Sequence, residues 1–257
     1  MRHRKIIKIL CVLLSMVNLV VSSIQAVAVD GVLYESNGKV EFIPGTDPTE
    51  PIDPESPDPT NPVKPIDPTN PIGPNPGTGG PLSIDYTSSL DFGRNRITNK
   101  DNVYYANAQG FSERIAGEFR GNYAQITDNR GVNGGWTLKL KQEAQFKSDK
   151  ATKYHVLTGA KISLSESVAV SKSIRAGSPK VKNVTLNPGI ETIIMVANKG
   201  NGSGTWVSRF GKAEKMMIDG EEVQKNKAVT LEIPGNTPKE AVSYVTKLIW
   251  ILADTPD

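Results

Sequence analysis

Between positions 44 and 81 the chain reads PGTDPTEPIDPESPDPTNPVKPIDPTNPIGPNPGTGGP, and thirteen of its 18 prolines fall in that run. Proline fixes φ and removes a backbone donor, so the stretch can hold neither a helix nor an interior strand of a sheet. It reads as a semi-extended, polyproline-like spacer that closes in a flexible GTGG. A proline-reading module could take such a run as its ligand, but the interspersed acidic residues favour a spacer over residues 44–80. The main fold is therefore sought on the C-terminal side of this break.

Residues 81–257 are enough for one well-buried core. Strand-like runs dominate there: LSIDYTSSLDFG, NYAQITD, WTLKLKQ, LTGAKISLS, ETIIMVANKG, GTWVSRF, AVTLEIP and SYVTKLIWILA. Many alternate apolar and polar residues, and Gly, Asn, Pro and Asp punctuate them, as at Asn187-Pro188-Gly189 and Pro234-Gly235-Asn236. No 3.6-residue periodicity competes. The expected fold is all-β, a β-sandwich-like single domain over 81–257 preceded by a disordered Pro/Asp-rich linker. The run GKAEKMMIDGEEVQKNK is ambiguous between a hairpin around Asp219-Gly220 and one helical turn. Ahead of the linker, residues 29–43 carry two alternating apolar runs around SNG and read as a small hairpin or an edge strand.

The chain opens MRHRKIIKILCVLLSMVNLVVSSIQAVAVD. Arg2, Arg4, Lys5 and Lys8 precede an apolar run from Ile9 to Val21, and Ala26-Val27-Ala28 fits the small-x-small pattern of a signal-peptidase site. The run is short of the ~20 residues that span a bilayer, and no basic stop-transfer follows it. Residues 1–28 are expected to be a cleaved secretion signal. Cys11, the one cysteine, lies inside it, so the exported chain would carry no disulfide and no thiolate. That composition suits a Gram-positive bacterium. No LPxTG-type sorting signal is visible near the C-terminus.

From Pro81 onward 24 Lys and Arg face 18 Asp and Glu, whereas residues 30–80 hold nine acids against Lys39 and Lys64. An acidic stalk thus carries a basic head. A basic head suits an anionic surface such as a teichoic-acid-bearing wall; scattered lysines also suit an ordinary solvated surface.

Trp136-Thr137-Leu138 and Trp250-Ile251-Leu252 repeat one pattern more than a hundred residues apart. Side chains at i and i+2 of a strand share a face. Trp136, Leu138 and Leu140 should point one way and Thr137, Lys139 and Lys141 the other. In the last strand Tyr244, Thr246, Leu248, Trp250 and Leu252 share a face. Its second half is apolar on both sides, as in a central strand of a covered sheet. Two readings stand: core residues packed beside leucines, or indoles lining a surface where sugar rings stack. Composition favours the first. Trp206, followed by Ser208 rather than a leucine, lacks the pairing and is expected to matter less.

With its SLDFG opening (Ser89 to Gly93), the two Trp-x-Leu motifs and the closing ADTP, the chain from Pro81 to the C-terminus resembles the WxL-domain surface proteins of low-GC Gram-positive bacteria, in particular the small members. The resemblance implies non-covalent attachment to peptidoglycan through the C-terminal domain. It makes Trp136, Leu138, Trp250 and Leu252 the wall-binding motif, with either a structural or a contact role. It implies membrane-anchored WxL-interacting proteins and larger WxL proteins as partners in surface complexes, with host ligands a further class. The two motifs are expected to meet on adjacent strands. The alternative is an adhesin or scaffold subunit that binds proteins and reaches the wall only through them.

Catalysis is not expected. His155 is the one histidine outside the leader, and no nucleophile elbow, P-loop or nucleotide fingerprint appears. GNGSGTW precedes a strand instead of opening a helix, which argues against a phosphate cradle. Glu221 and Glu222 are neighbours on a strand and point to opposite faces. No cofactor, metal or nucleic acid is called for, and the chain is expected to be a secreted, wall-associated binding protein.

Overall fold

A computed structural model describes residues 32–173 and 177–256. The chain divides into two compact units, Met1–Glu41 and Phe42–Asp257. The secretion-signal reading of residues 1–28 lies outside the described residues. Among the described residues no helix is long and apolar enough to cross a membrane.

The second unit is all-β. Its strands are β1 (Lys64–Pro65), β2 (Leu82–Thr87), β3 (Asn102–Asn107), β4 (Gln109–Ser112), β5 (Phe119–Arg120), β6 (Asn122–Asp128), β7 (Trp136–Gln142), β8 (Lys161–Leu164), β9 (Ser167–Val170), β10 (Lys180–Val181), β11 (Val184–Thr185), β12 (Glu191–Ala197), β13 (Gly204–Phe210), β14 (Glu214–Ile218), β15 (Glu221–Ile233) and β16 (Leu248–Ala253). They form four antiparallel sheets, ordered β2-β6-β13-β9, β10-β12-β7-β16, β11-β8-β15-β14 with β3 also paired to β15, and β1-β4-β5. The ambiguous run is a hairpin: β14 and β15 meet across Asp219 and Gly220, both at positive φ (52° and 86°), as a tight two-residue loop requires.

The larger apolar cluster draws on β6, β7, β8, β12, β13 and β15, with Trp136, Leu138, Leu140, Ile126, Ile162, Ile194, Trp206 and Val229 all buried in it. Alternation along β6 and β13 supplies a second buried face. Ala124 and Ile126 turn to the larger cluster, while Tyr123 belongs to a smaller one with Tyr86, Phe111, Ile115 and Val207. The Tyr86 and Tyr123 ring centroids lie 4.7 Å apart.

Ile52 and Val63, both 1 % exposed, complete that smaller cluster. They belong to the stretch that sequence reasoning reads as a spacer. Residues 50–66 lie along the sheet as a strap, because between the prolines the chain offers apolar side chains at Ile52 and Val63 and acids at Asp53, Glu55 and Asp58. Proline still limits it to the two-residue β1, at the edge of its sheet, where a missing donor is tolerated. The Gln125 side chain accepts from the Ile52 N–H (2.8 Å) and donates to the Glu50 carbonyl (3.0 Å). Asp53 takes two hydrogen bonds from Arg120, both 3.0 Å, Glu55 pairs with Arg209 at 3.1 Å, and Asp58 with Lys172 at 2.9 Å. Asp58-Pro59-Thr60-Asn61 and Asp67-Pro68-Thr69-Asn70 close alike. In each, the Thr N–H and hydroxyl donate to the Asp carboxylate and the Asn N–H to the Asp carbonyl.

Residues 32–43 form neither the hairpin nor the edge strand read from their alternation. They make no strand or bridge, and Val32, Leu33, Tyr34, Val40, Phe42 and Ile43 stand 74–97 % exposed.

Candidate functional site

The two Trp-x-Leu motifs sit on neighbouring strands. β16 runs antiparallel to β7 with Trp250 opposite Leu140 and Leu252 opposite Leu138. Opposite residues of an antiparallel pair share a face, so the alternation of both strands sends Trp136, Leu138, Leu140, Trp250 and Leu252 to the core side. Their environments differ. Trp136 and Leu138 are fully buried, whereas Trp250 and Leu252 are half-buried and pack against the cluster from its margin. The structure corrects the central-strand reading: β16 ends its sheet, and all six of its residues are half-exposed.

Local backbone explains the Trp136 position. Its Nε1 donates to the Gly202 carbonyl at 3.0 Å, which satisfies the polar end of a buried indole. A Cβ on Gly202, which holds φ 81°, would come 2.7 Å from that nitrogen. Of the spaced glycines of GNGSGTW, Gly202 therefore serves close packing on Trp136. Trp206, taken from sequence as the less important indole, is 2 % exposed in the same cluster and donates Nε1 to the Ser203 carbonyl at 3.0 Å. That expectation is corrected. Both buried indoles are held by one glycine-rich loop, and leucine spacing carried no information about Trp206.

Arg130, which sequence reasoning did not single out, ties the two motifs together. Its guanidinium grips Asp128 with bonds of 2.9 and 2.8 Å and donates to the Gly135 carbonyl before Trp136 at 2.8 Å. Its other arm reaches the Asp254 carbonyl after β16 at 3.5 Å. The Asp128 hydrogen bonds raise its pKa and keep it charged. The SLDFG opening is structural too. The Asp91 carboxylate accepts from the Gly93 N–H (2.8 Å) and the Asn107 amide (2.7 Å), and Phe92 meets Phe146 edge-on in the core. Lys225 lies buried beside it, its amine pushed down by burial against the opposing pull of Asp91.

The reverse side of the signature strands is a mixed basic and apolar surface. Register places Ile193, Lys139 and Ile251 in one row across β12, β7 and β16, and Glu191, Lys141 and Ile249 in the next. The three isoleucines and both lysines are half-exposed, and the isoleucines stand outside either core cluster. Such a surface can meet a polymer carrying carboxylates or phosphates between apolar faces. His155 is exposed in a loop, and Glu221 and Glu222 are exposed at the start of β15. Among the described residues no group of three or more His, Cys, Asp or Glu could hold a metal ion.

The family model described as WxL domain surface cell wall-binding matches residues 30–256. No curated protein and no solved structure matches the chain.

Proposed function

This chain belongs to the WxL family of surface cell wall-binding domains, and on that premise we propose that it is secreted and holds peptidoglycan non-covalently through its folded domain, within a multi-protein surface complex. In this reading Trp136, Leu138, Trp250 and Leu252 fasten the last strand to the core, and the reverse face of β7 and β16 meets the wall. The supporting observation is the division of labour along WTLKLKQ and LIWILA, where every Trp and Leu of the signature turns to the cluster and Lys139, Lys141, Ile249 and Ile251 turn away. Lysine ammonium groups attract carboxylates and phosphates as point charges, and the isoleucines add contact area that the charges alone lack.

Purified protein incubated with teichoic-acid-stripped sacculi tests this reading. Retention without any other protein is expected. Retention only after membrane-anchored or larger WxL partners are added would overturn direct wall binding in favour of a scaffold subunit. Soluble muropeptides released in the same tube would overturn the binding-only reading.

A further inference from the structure

We propose that Lys225 and Asn107 join in a self-formed isopeptide bond, with the carboxylate of Asp91 moving the proton. The lysine is the anomaly that points to it. Lys225 is 6 % exposed, yet among the described residues its amine makes one polar contact, to the Phe92 carbonyl at 3.5 Å. No carboxylate pairs with it there. Glu214, its register neighbour on β14, is held by Lys227 at 2.8 Å. Lysines are seldom buried without a partner, because the charged form then lacks solvation. Burial accordingly pushes this amine down, toward the neutral form that acts as a nucleophile.

The electrophile stands directly across the sheet. Lys225 on β15 is opposite Asn107 on β3, so their side chains share a face with Cβ atoms roughly 4.5–5.5 Å apart. Gly93 shows that the reactive ends converge. A Cβ added there would lie 3.1 Å from the Lys225 Nζ and 3.9 Å from the Asn107 Oδ1. The third group is in place as well. Asn107 Nδ2 donates to Asp91 Oδ2 at 2.7 Å, and the Asn107 N–H donates to the Asp91 carbonyl at 2.7 Å. The Gly93 N–H fixes the other carboxylate oxygen at 2.8 Å. The carboxylate is thus bonded to the very nitrogen that must leave.

In the step, the neutral Lys225 amine adds to Cγ of Asn107 and forms the new C–N bond. Asp91 takes one proton from the attacking nitrogen and delivers it to Nδ2. The Cγ–Nδ2 bond then breaks, and ammonia departs. One amine and one carboxamide become one secondary amide and one ammonia. Nothing is oxidised or reduced, and no co-reactant is needed. A buried site favours the step by disfavouring the ammonium form and by keeping competing water out. The product ties β3 to β15 and encloses β4 to β14 in one covalent loop. In a chain whose one cysteine is Cys11, such a bond restricts the unfolded state as a disulfide would.

Protease digestion of the whole folded protein, followed by tandem mass spectrometry, tests for the bond. The expected product is a branched peptide that joins the Asn107 and Lys225 segments and is lighter than their sum by one ammonia. Lys225→Met and Asn107→Ala should each abolish it. Asp91→Asn, which keeps both bonding partners, should abolish it too, with far-ultraviolet spectra as the control for folding. Linear, unmodified Asn107 and Lys225 peptides from the parent would overturn the proposal, and that readout needs no variant. An ammonia loss that persists in Lys225→Met would belong to another asparagine and overturn it equally. Bond formation in Asp91→Asn to the parent's extent would overturn the proton-transfer role.

Discussion

At the residue scale the three tryptophans separate by burial rather than by motif. Trp136 and Trp206 are enclosed, each with its Nε1 satisfied by the glycine loop, while Trp250 sits at the margin of the cluster. Replacing either enclosed indole with alanine should cost roughly 3–5 kcal/mol, and Trp250→Ala should fall below that range. Urea unfolding of the three variants checks the order; a Trp206→Ala melt that overlays the parent would contradict it. Alternation told which way Trp136 and Trp250 point, but a strand's period cannot tell a central position from an edge. Nor could the sequence show that Arg130 bridges both motifs, since the Asp254 carbonyl is brought near it only by the fold.

Two carboxyls, Asp53 in the strap and Asp85 on β2, should give opposite pH slopes. Burial pushes Asp85 up, against the hydrogen bonds it accepts from Ser83, Thr127 and Gln125. Burial would also raise Asp53, but the Arg120 and backbone hydrogen bonds outweigh it and hold that carboxyl below its usual range. A raised folded pKa gives stability that is present below the unfolded value and lost as pH rises through the folded one; a lowered pKa does the reverse. The stability difference between the parent and Asp85→Asn should therefore shift in the parent's favour on acidification from neutral pH. The difference between the parent and Asp53→Asn should shrink as pH falls below about 4, the ordinary carboxylate range. Urea midpoints over a pH series read both, and parallel curves would contradict the assignment.

At the scale of elements the strap is the main departure from the sequence reading. Proline chemistry correctly bars residues 44–80 from helix and interior strand, but it is silent on burial. The informative residues were Ile52 and Val63, whose apolar side chains have little place in a solvated spacer, and the acids that meet Arg120, Arg209 and Lys172. Deleting 44–80 would strip the cover from Tyr86, Phe111, Tyr123 and Val207. The expected result is a destabilised domain, with Ile52→Ala alone costing roughly 2–5 kcal/mol; a deletion variant that melts like the parent would show that the strap is dispensable. The longer strands β2, β6, β7, β8, β12, β13, β15 and β16 were legible because alternation is a local property. β3, β4 and β9 were not read, since NVYYAN, QGFS and SVAV lack a clean apolar and polar alternation, and the two-residue β1, β5, β10 and β11 are too short to show one. Edge or central status depends on pairings many residues apart.

At the scale of the molecule, strap and domain share their charge. Asp53, Glu55 and Asp58 pair with Arg120, Arg209 and Lys172, so the basic excess read from residues 81–257 is partly met from within. What the fold presents on the reverse side of the signature sheet is Lys139 and Lys141 among isoleucines. Sacculus binding should then weaken as salt rises past physiological strength, where the Debye length falls below ~8 Å, and salt-insensitive binding would remove the electrostatic part of the account. In the proposed arrangement the signature residues fasten β16 to the core, and the reverse face of β7 and β16 touches the wall. Co-sedimentation of a Lys139→Gln/Lys141→Gln variant with stripped sacculi tests it most directly, with a melting curve as the control for folding. The expected result is a melt like the parent's and about tenfold weaker binding, equivalent to ~1.4 kcal/mol; a variant that melts and binds like the parent would rule out wall contact through this face.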